Sequence, residues 1–304
     1  MNGRSTKFPP IWGHLEIPTS SRRAALAGLA LYAPCKRWTI IAHRVIWAAT
    51  AALGPAALPG RREVWRPPME DEIWRGLLRE WETRLGRPEA FAVYHRRPAG
   101  RHGFNLLALR DDEPAAFLKL RAGVGTELEN EYQALERVHA FGPKAFRAPE
   151  CLALGEHGGW HYLALTPLPA RPHRPPRHPR LEPVVHEIDA ALRTLPRRAE
   201  TPPHWTPMHG DFTPWNLRRL DDGPLMLFDW EDAGWGPPGA DEVLFQATEA
   251  ALGRATDSGW AREEALAYWQ ERLRAKPDAG TGGGRRVARV LRDVLRMAAA
   301  RRRR

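Results

Sequence analysis

The chain has 304 residues, 43% of them hydrophobic, with 46 lysines and arginines against 36 aspartates and glutamates, a formal charge of +10. That length is room for two domain-sized units at roughly 150 residues each, and such an apolar fraction can build a core without staples. Cys35 and Cys151 are the two cysteines, which excludes a disulfide framework and a thiolate-rich zinc site within the chain and makes a cytoplasmic location the expectation. Only five of the basic groups are lysine, so the excess is arginine. It implies an anionic partner without choosing among nucleic acid, a phosphorylated small molecule and an anionic membrane.

In chain order, the first twenty residues, with Pro9 and Pro10, read as loosely packed. A helix is expected from Ser21, then a second apolar segment from Trp38 to Leu58. Its longest uncharged run, Val45 to Leu58, contains Gly54 and Pro55 and is shorter than the roughly twenty residues a bilayer span requires. No secretory leader pattern is read near the start. Residues 21–58 are therefore expected to form a helical hairpin packed on the body, and peripheral contact with an anionic membrane is the other reading. Trp38, Ile40, Ile41, Val45, Ile46, Trp47 and Leu53 need a cover, and the next helix is the expected one.

That helix is predicted over Met69 to Leu85, where Ile73, Trp74, Leu77, Leu78, Trp81 and Leu85 recur at spacings of three and four. The period then changes to two. Phe91 to Tyr94, Phe104 to Leu109 and Ala115 to Leu120 predict strands, joined by the basic loop Arg96 to Gly103 and by an Asp111-Asp112 turn. The basic loop suits phosphate covering and a solvated hairpin equally, since it matches no strict glycine fingerprint. A helix over Glu127 to His139 and strands at Cys151 to Leu154 and His161 to Leu165 complete a small antiparallel α+β lobe. The proline-rich stretch Pro167 to Pro179 reads as a boundary or surface loop. Helices are expected beyond it over Leu181 to Leu195, Asp241 to Leu252, Ala261 to Ala275 and Arg285 to Ala300, with a glycine hinge at Gly282 to Gly284. The expected division is a helical extension over 1–65, a small lobe over 66–165 and a mainly helical lobe over 166–304.

The chemistry concentrates in Met208-His209-Gly210-Asp211-Phe212-Thr213-Pro214-Trp215-Asn216 and, after the turn Asp221-Asp222-Gly223, in Leu225-Met226-Leu227-Phe228-Asp229-Trp230-Glu231. The second segment is an apolar strand that ends on a carboxylate. A hairpin through the turn brings Asn216 and Asp229 to one side, two oxygen ligands that suit Mg²⁺. Asn216 binds such an ion without adding charge beside phosphates. Asp211 is left to receive a proton from a hydroxyl that attacks phosphorus. His209, with His204 and Asp211, also sketches a zinc-like cluster, but a fourth ligand is missing, and bracing of the loop through backbone hydrogen bonds is the expected role.

Lys119 stands in the apolar strand Ala116-Phe117-Leu118-Lys119-Leu120, and Glu131 lies on the stripe that Leu128, Leu135 and Val138 draw on the following helix. An ammonium and a carboxylate so placed can meet, which would aim the lysine at nucleotide phosphates. A structural salt bridge or an edge-strand lysine reads the same two residues.

The His-Gly-Asp-x4-Asn and Asp-Trp-Glu segments resemble the catalytic and metal-binding motifs of the aminoglycoside phosphotransferase family, small-molecule relatives of protein kinases. The resemblance covers about Phe91 to Ala275. It implies a bilobal, protein-kinase-like α+β fold with a small antiparallel-sheet lobe carrying one key helix and a mainly helical lobe. ATP bound between the lobes would give its γ-phosphoryl to a small-molecule hydroxyl. By the same resemblance Asp211 is the catalytic aspartate, Asn216 and Asp229 are the Mg²⁺ ligands and Lys119 is the lysine on the α- and β-phosphates. Glu131 would orient that lysine, and Asp241 would brace the catalytic loop. Trp215 replaces a frequent glycine, Phe228 a usual isoleucine or valine, and the first 65 residues have no counterpart in the minimal fold. A kinase-like binding protein without turnover is the second reading, opposed by the intact reacting groups. Arginine-driven nucleic-acid binding is the third, supported by the Arg301 to Arg304 tail and opposed by the lack of a recognition motif.

Overall fold

The computed structural model describes residues 4–8, 14–32, 34–95, 103–176, 179–220, 223–254, 262–275 and 282–302. The basic loop 96–102 and the acidic pair 221–222 lie outside them, as do residues 177–178 of the proline-rich stretch. The chain divides into two compact units, the first taking residues up to 95, 103–128 and 149–174 and the second 129–148 and the chain from 175 on.

The first unit is built on an eight-stranded sheet. Five strands fall where the period of two predicts them: β4 (Ala90–His95), β5 (Gly103–Arg110), β6 (Glu113–Ala122), β8 (Cys151–His157) and β9 (Trp160–Leu165). Asp111 and Asp112 turn from β5 into β6 with φ of 52° and 62°, the left-handed pair that a two-residue hairpin needs. The remaining strands overturn the expectation of a loose N-terminus. β1 (Arg4–Lys7), β2 (His14–Pro18) and β3 (Arg61–Val64) extend the sheet in the order β3-β1-β2-β4-β5-β6-β9-β8. Every pairing is antiparallel. Leu15 and Ile17 of β2 are buried, so a two-residue alternation was present there, too short to stand out.

Each face of the sheet takes a helix, because successive side chains point to opposite sides. Phe104, Leu106 and Ala108 of β5, with Leu118 and Leu120 of β6, pack on α3 (Asp71–Leu85) through Trp74, Leu77 and Trp81. Leu107 and Leu109 pack on the other face against Ala24 and Ala27 of α1 (Arg22–Ala30). Ser21 caps α1, its hydroxyl accepting from the Ala24 amide at 3.0 Å. The α3 face is aromatic: ring centroids of Trp65 and Trp74 lie 5.4 Å apart, Trp74 and Trp81 5.5 Å, Trp81 and Tyr162 5.8 Å, all edge-to-face. Tyr162 anchors this cluster by donating to Glu80 Oε1 at 2.6 Å.

The helical hairpin is present and packs on the body, Ile46 and Trp47 against the core of Leu15, Ile17 and Leu29, though not on α3 as expected. Helix α2 (Arg37–Leu53) packs on α1, on the sheet face opposite to α3. Trp38, Ile41, Val45 and Leu53 remain exposed.

The second unit joins α4 (Thr126–Phe141), from residue 129 on, to four further helices: α5 (Leu181–Leu192), α6 (Ala240–Ala251), α7 (Glu263–Ala275) and α8 (Gly282–Arg302). Val243, Leu244 and Ala247 of α6 pack with Leu266 and Trp269 of α7 and Leu291 and Leu295 of α8. Helix α8 starts on the glycines expected to be a hinge. Two small sheets complete the unit: β10 (Thr206–Met208) with β13 (Gly234–Gly236), and β11 (Leu217–Arg219) with β12 (Leu225–Leu227) and β7 (Phe146–Arg147).

Trp81 is fully buried at the centre of the aromatic face, so Trp81→Ala should lower the unfolding free energy by about 3–5 kcal/mol. Urea unfolding of both proteins checks this, and a loss under about 1 kcal/mol would show that the face collapses onto the gap.

Candidate functional site

The loop that follows β10 carries the first motif. Its two leading amides converge on one carboxylate: His209 N donates to Asp241 Oδ2 at 2.7 Å and Gly210 N to Asp241 Oδ1 at 3.1 Å. Asp241 stands in the first turn of α6 and is buried, where the positive end of the helix favours a carboxylate. Burial still dominates and raises its pKa to about 7, while the two amides and Arg272 pull it down and Glu242 pushes it up. Gly210 has a φ of +79°, and a Cβ there would stand 2.0 Å from the Asp232 carbonyl oxygen. Only glycine fits both requirements.

His209 is fully buried. Its ring lies 4.5 Å from that of Trp230, and its Nδ1 accepts the Asp211 amide at 3.2 Å. An accepting Nδ1 carries no proton and is turned to the loop, which agrees with a bracing role. The zinc-like cluster does not assemble, because His204 is at the surface, 2.7 Å from Glu264 Oε1.

Asp211 is tied to Asn216. Asn216 Nδ2 donates to the Asp211 carbonyl at 2.9 Å and to its Oδ2 at 2.8 Å. Both amide hydrogens are engaged in this way, so the side-chain oxygen is the atom left for a ligand. The Asn216 carbonyl accepts from Phe228 N at 3.1 Å, and Leu217 pairs with Leu227. The expected hairpin thus exists, and it sets Asn216 and Asp229 at the same end of β11 and β12.

Asp229 leaves β12 with a φ of 73°, an uncommon conformation for a residue with a side chain. Trp230 follows, fully buried, stacked on Phe146 at 5.9 Å and donating its Nε1 to the Leu227 carbonyl at 3.2 Å. Its backbone amide donates to Glu131 Oε1 at 3.2 Å. Glu131 is buried, as its place on the apolar stripe predicts. Among the described residues, Glu131, Asp229 and Glu231 form the group whose carboxylate oxygens all lie within 4.8 Å of one another. Glu231 went unassigned by sequence reasoning, although it stands in the motif. Asn130 was missed altogether. Its Nδ2 donates to the carbonyls of Glu231 and Ala233, both at 2.9 Å, which fastens α4 to this segment.

In the first unit, Lys119 is buried on β6, opposite Asn105 of β5 and Leu163 of β9. Alternation sets it on the face away from α3. Arg121 shares that face, is also buried, and donates to Asn105 Oδ1 at 3.2 Å. Its Nε lies 3.9 Å from Glu127 Oε2.

Comparison with known proteins agrees with the family resemblance of the motifs. The model of a phosphotransferase enzyme family matches residues 174–278, the part of the chain that holds His209, Asp211, Asn216, Asp229 and Asp241. No curated protein matches by sequence. Among solved structures, a spectinomycin phosphotransferase in complex with ADP and spectinomycin aligns with a TM-score of 0.50 at 10% identity, over 78% of this chain and 100% of that one. An aminoglycoside-3'-phosphotransferase of type VIII aligns at 0.44 and 16% identity, over 74% of this chain and 98% of that one. The likeness to the first is one of fold, and the fold is the kinase-like α+β arrangement expected from the motifs.

The raised Asp241 pKa has a consequence for stability. Between about 3.8, the ordinary value, and about 7 the native state holds a proton that the unfolded chain has released. This contribution is present in full below the lower value and is lost as pH rises through the upper one, at up to about 1.4 kcal/mol per unit. Urea titrations of wild type and Asp241→Asn should give a difference in unfolding free energy that is largest near pH ~4.5 and smaller at pH ~8. A difference that stays flat over this range would mean that Asp241 is ionised throughout.

Proposed function

We propose that the chain is a small-molecule phosphotransferase that moves the γ-phosphoryl group of ATP to a hydroxyl, with Asp211 as the acceptor of the hydroxyl proton. The observation that carries this is the Asp211–Asn216 pair. Asn216 Nδ2 holds Asp211 Oδ2 at 2.8 Å, which orients the carboxylate, and Asp241 holds the loop beneath it through two amides. A carboxylate so fixed can take the proton as the hydroxyl oxygen forms its bond to phosphorus and the bond to the ADP oxygen breaks.

The donor set fits a hard divalent cation. Three carboxylates within 4.8 Å of each other repel unless protons or a cation offset them. The Asn216 side-chain oxygen and Asp229 are the proposed ligands of Mg²⁺, and Glu231 is at hand to support Asp229. Mg²⁺, when bound, offsets the charge of the phosphates. Lys119 is the proposed counter-charge to the α- and β-phosphates, and Glu131 the proposed carboxylate that orients it.

For the acceptor, a neutral or anionic molecule fits the +10 charge at least as well as a polycation does.

An ATP-consumption screen over hydroxylated metabolites and antibiotics, with mass analysis of the products, identifies the acceptor. With that acceptor, Asp211→Asn should retain nucleotide binding and lose about two orders of magnitude or more in turnover. Asp229→Ala should abolish the Mg²⁺ dependence of nucleotide binding. Turnover near wild type in Asp211→Asn would defeat the assignment.

A further inference from the structure

Helix α2 is apolar on both sides. Its inner side buries Thr39, His43 and Thr50 and seats the half-buried Ala42, Ile46 and Trp47 against the core of Phe8, Leu15, Ile17 and Leu29. Thr39 Oγ1 donates to the Lys36 carbonyl at 2.7 Å, and His43 Nε2 lies 3.0 Å from the Leu29 carbonyl oxygen. The side chains it exposes include Trp38 at 58%, Ile41 at 58%, Val45 at 63% and Leu53 at 72%. Trp38, Ile41, Val45, Ala48 and Ala52 follow at steps of three and four residues and are all exposed, so they make one stripe along the helix. A helix whose outer face meets only water shows the opposite arrangement.

The charge around the stripe has one sign. Between Glu16 and Glu63 there is no acidic residue, whereas Arg22, Arg23, Lys36, Arg37, Arg44, Arg61 and Arg62 all occur there and all are exposed. Arg37 and Arg44 each adjoin a stripe residue, Trp38 and Val45. Burial holds the His43 pKa below its usual value, so the imidazole adds no charge at neutral pH.

By length and composition alone, Arg37–Ala57 could cross a bilayer. Its connections argue for lying in the surface instead. β2 precedes the hairpin and β3 follows it, and both pair with β1, so both ends return to one sheet. The inner side of α2 is packed on α1, and Arg44 stands near the middle of the helix.

We propose that α2 is an interfacial anchor that lies in the plane of an anionic lipid bilayer. Trp38, Ile41, Val45 and Leu53 enter the boundary between headgroups and acyl chains, and Lys36, Arg37 and Arg44 meet lipid phosphates. A second copy of the chain suits the stripe less well. Two-fold pairing would bring the Arg37 and Arg44 rows together, and residues 17–62 offer no carboxylate to separate them. This inference does not depend on the proposed phosphotransfer.

The test is flotation of the full chain with vesicles of phosphatidylcholine alone and of phosphatidylcholine with ~30% phosphatidylglycerol, at ~0.05 and ~0.5 M salt. The anionic vesicles should bind about tenfold more protein, and high salt should remove most of that gain, as expected when each basic side chain at the surface contributes about fivefold. Ile41→Asp with Val45→Asp should lose binding while the thermal midpoint stays within ~2 °C, since both positions are already exposed. Arg37→Glu with Arg44→Glu should lose it as well and leaves the apolar stripe intact. Wild type that ignores anionic vesicles, or aspartate and glutamate variants that bind like wild type, would overturn the proposal. A dimer in sedimentation velocity that the aspartate pair abolishes, without vesicle binding, would assign the stripe to a second copy instead.

Discussion

The site rests on the buried carboxylate of Asp241. Two backbone amides, of His209 and Gly210, end on its oxygens, and without it both would be unsatisfied in the interior at a cost of about 1–3 kcal/mol each. Its own position is secured from outside the loop. Trp269 of α7 donates its Nε1 to the Ala240 carbonyl at 2.7 Å, which fixes the start of α6. A continuous series of contacts then runs from Trp269 through Ala240 and Asp241 to His209 and Gly210, on to Asp211 and Asn216, and ends in the β11–β12 hairpin. Apart from the peptide link between Ala240 and Asp241, each joint is a hydrogen bond between buried or half-buried groups, so the orientation of Asp211 depends on how α6 and α7 pack.

A second constraint acts on the other carboxylates. Glu131, Asp229 and Glu231 crowd together, and what holds them is backbone rather than charge. Asn130 and Glu131, neighbours on α4, both bond to the 230–233 segment, one donating to its carbonyls and one accepting from its amide. The helix therefore grips this segment through one amide and one carboxylate side chain. Asp229 enters this cluster with a φ of 73°, a left-handed conformation that aspartate adopts more readily than most residues.

The motif core was legible as residue types at fixed spacing: the hairpin that sets Asn216 and Asp229 at one end could be read from the chain alone. Long periodic elements such as α3 and the alternating β5 and β6 were legible for the same reason, a repeated signal. β1 and β3 were not, since four residues as polar as Arg4–Lys7 and Arg61–Val64 carry no alternation and gain their strand character only from the edge they join. Asn130 was invisible for a different reason. A lone amide on a helix has no pattern, and its role exists only through the two carbonyls it reaches.

The cover of α2 was anticipated in part. Large apolar residues were expected to turn toward the body, and Ile46 and Trp47 do, against the core of Phe8, Leu15, Ile17 and Leu29. Thr39, His43 and Thr50 are buried on the same helix, where the Leu29 carbonyl accepts from His43. Trp38, Ile41, Val45 and Leu53 are left outward. The hairpin hangs between β2 and β3, and β2 leads by unbroken hydrogen-bonded ladders through β4 and β5 to β6 and Lys119. A surface that seats α2 would thus orient the first unit, its buried lysine included.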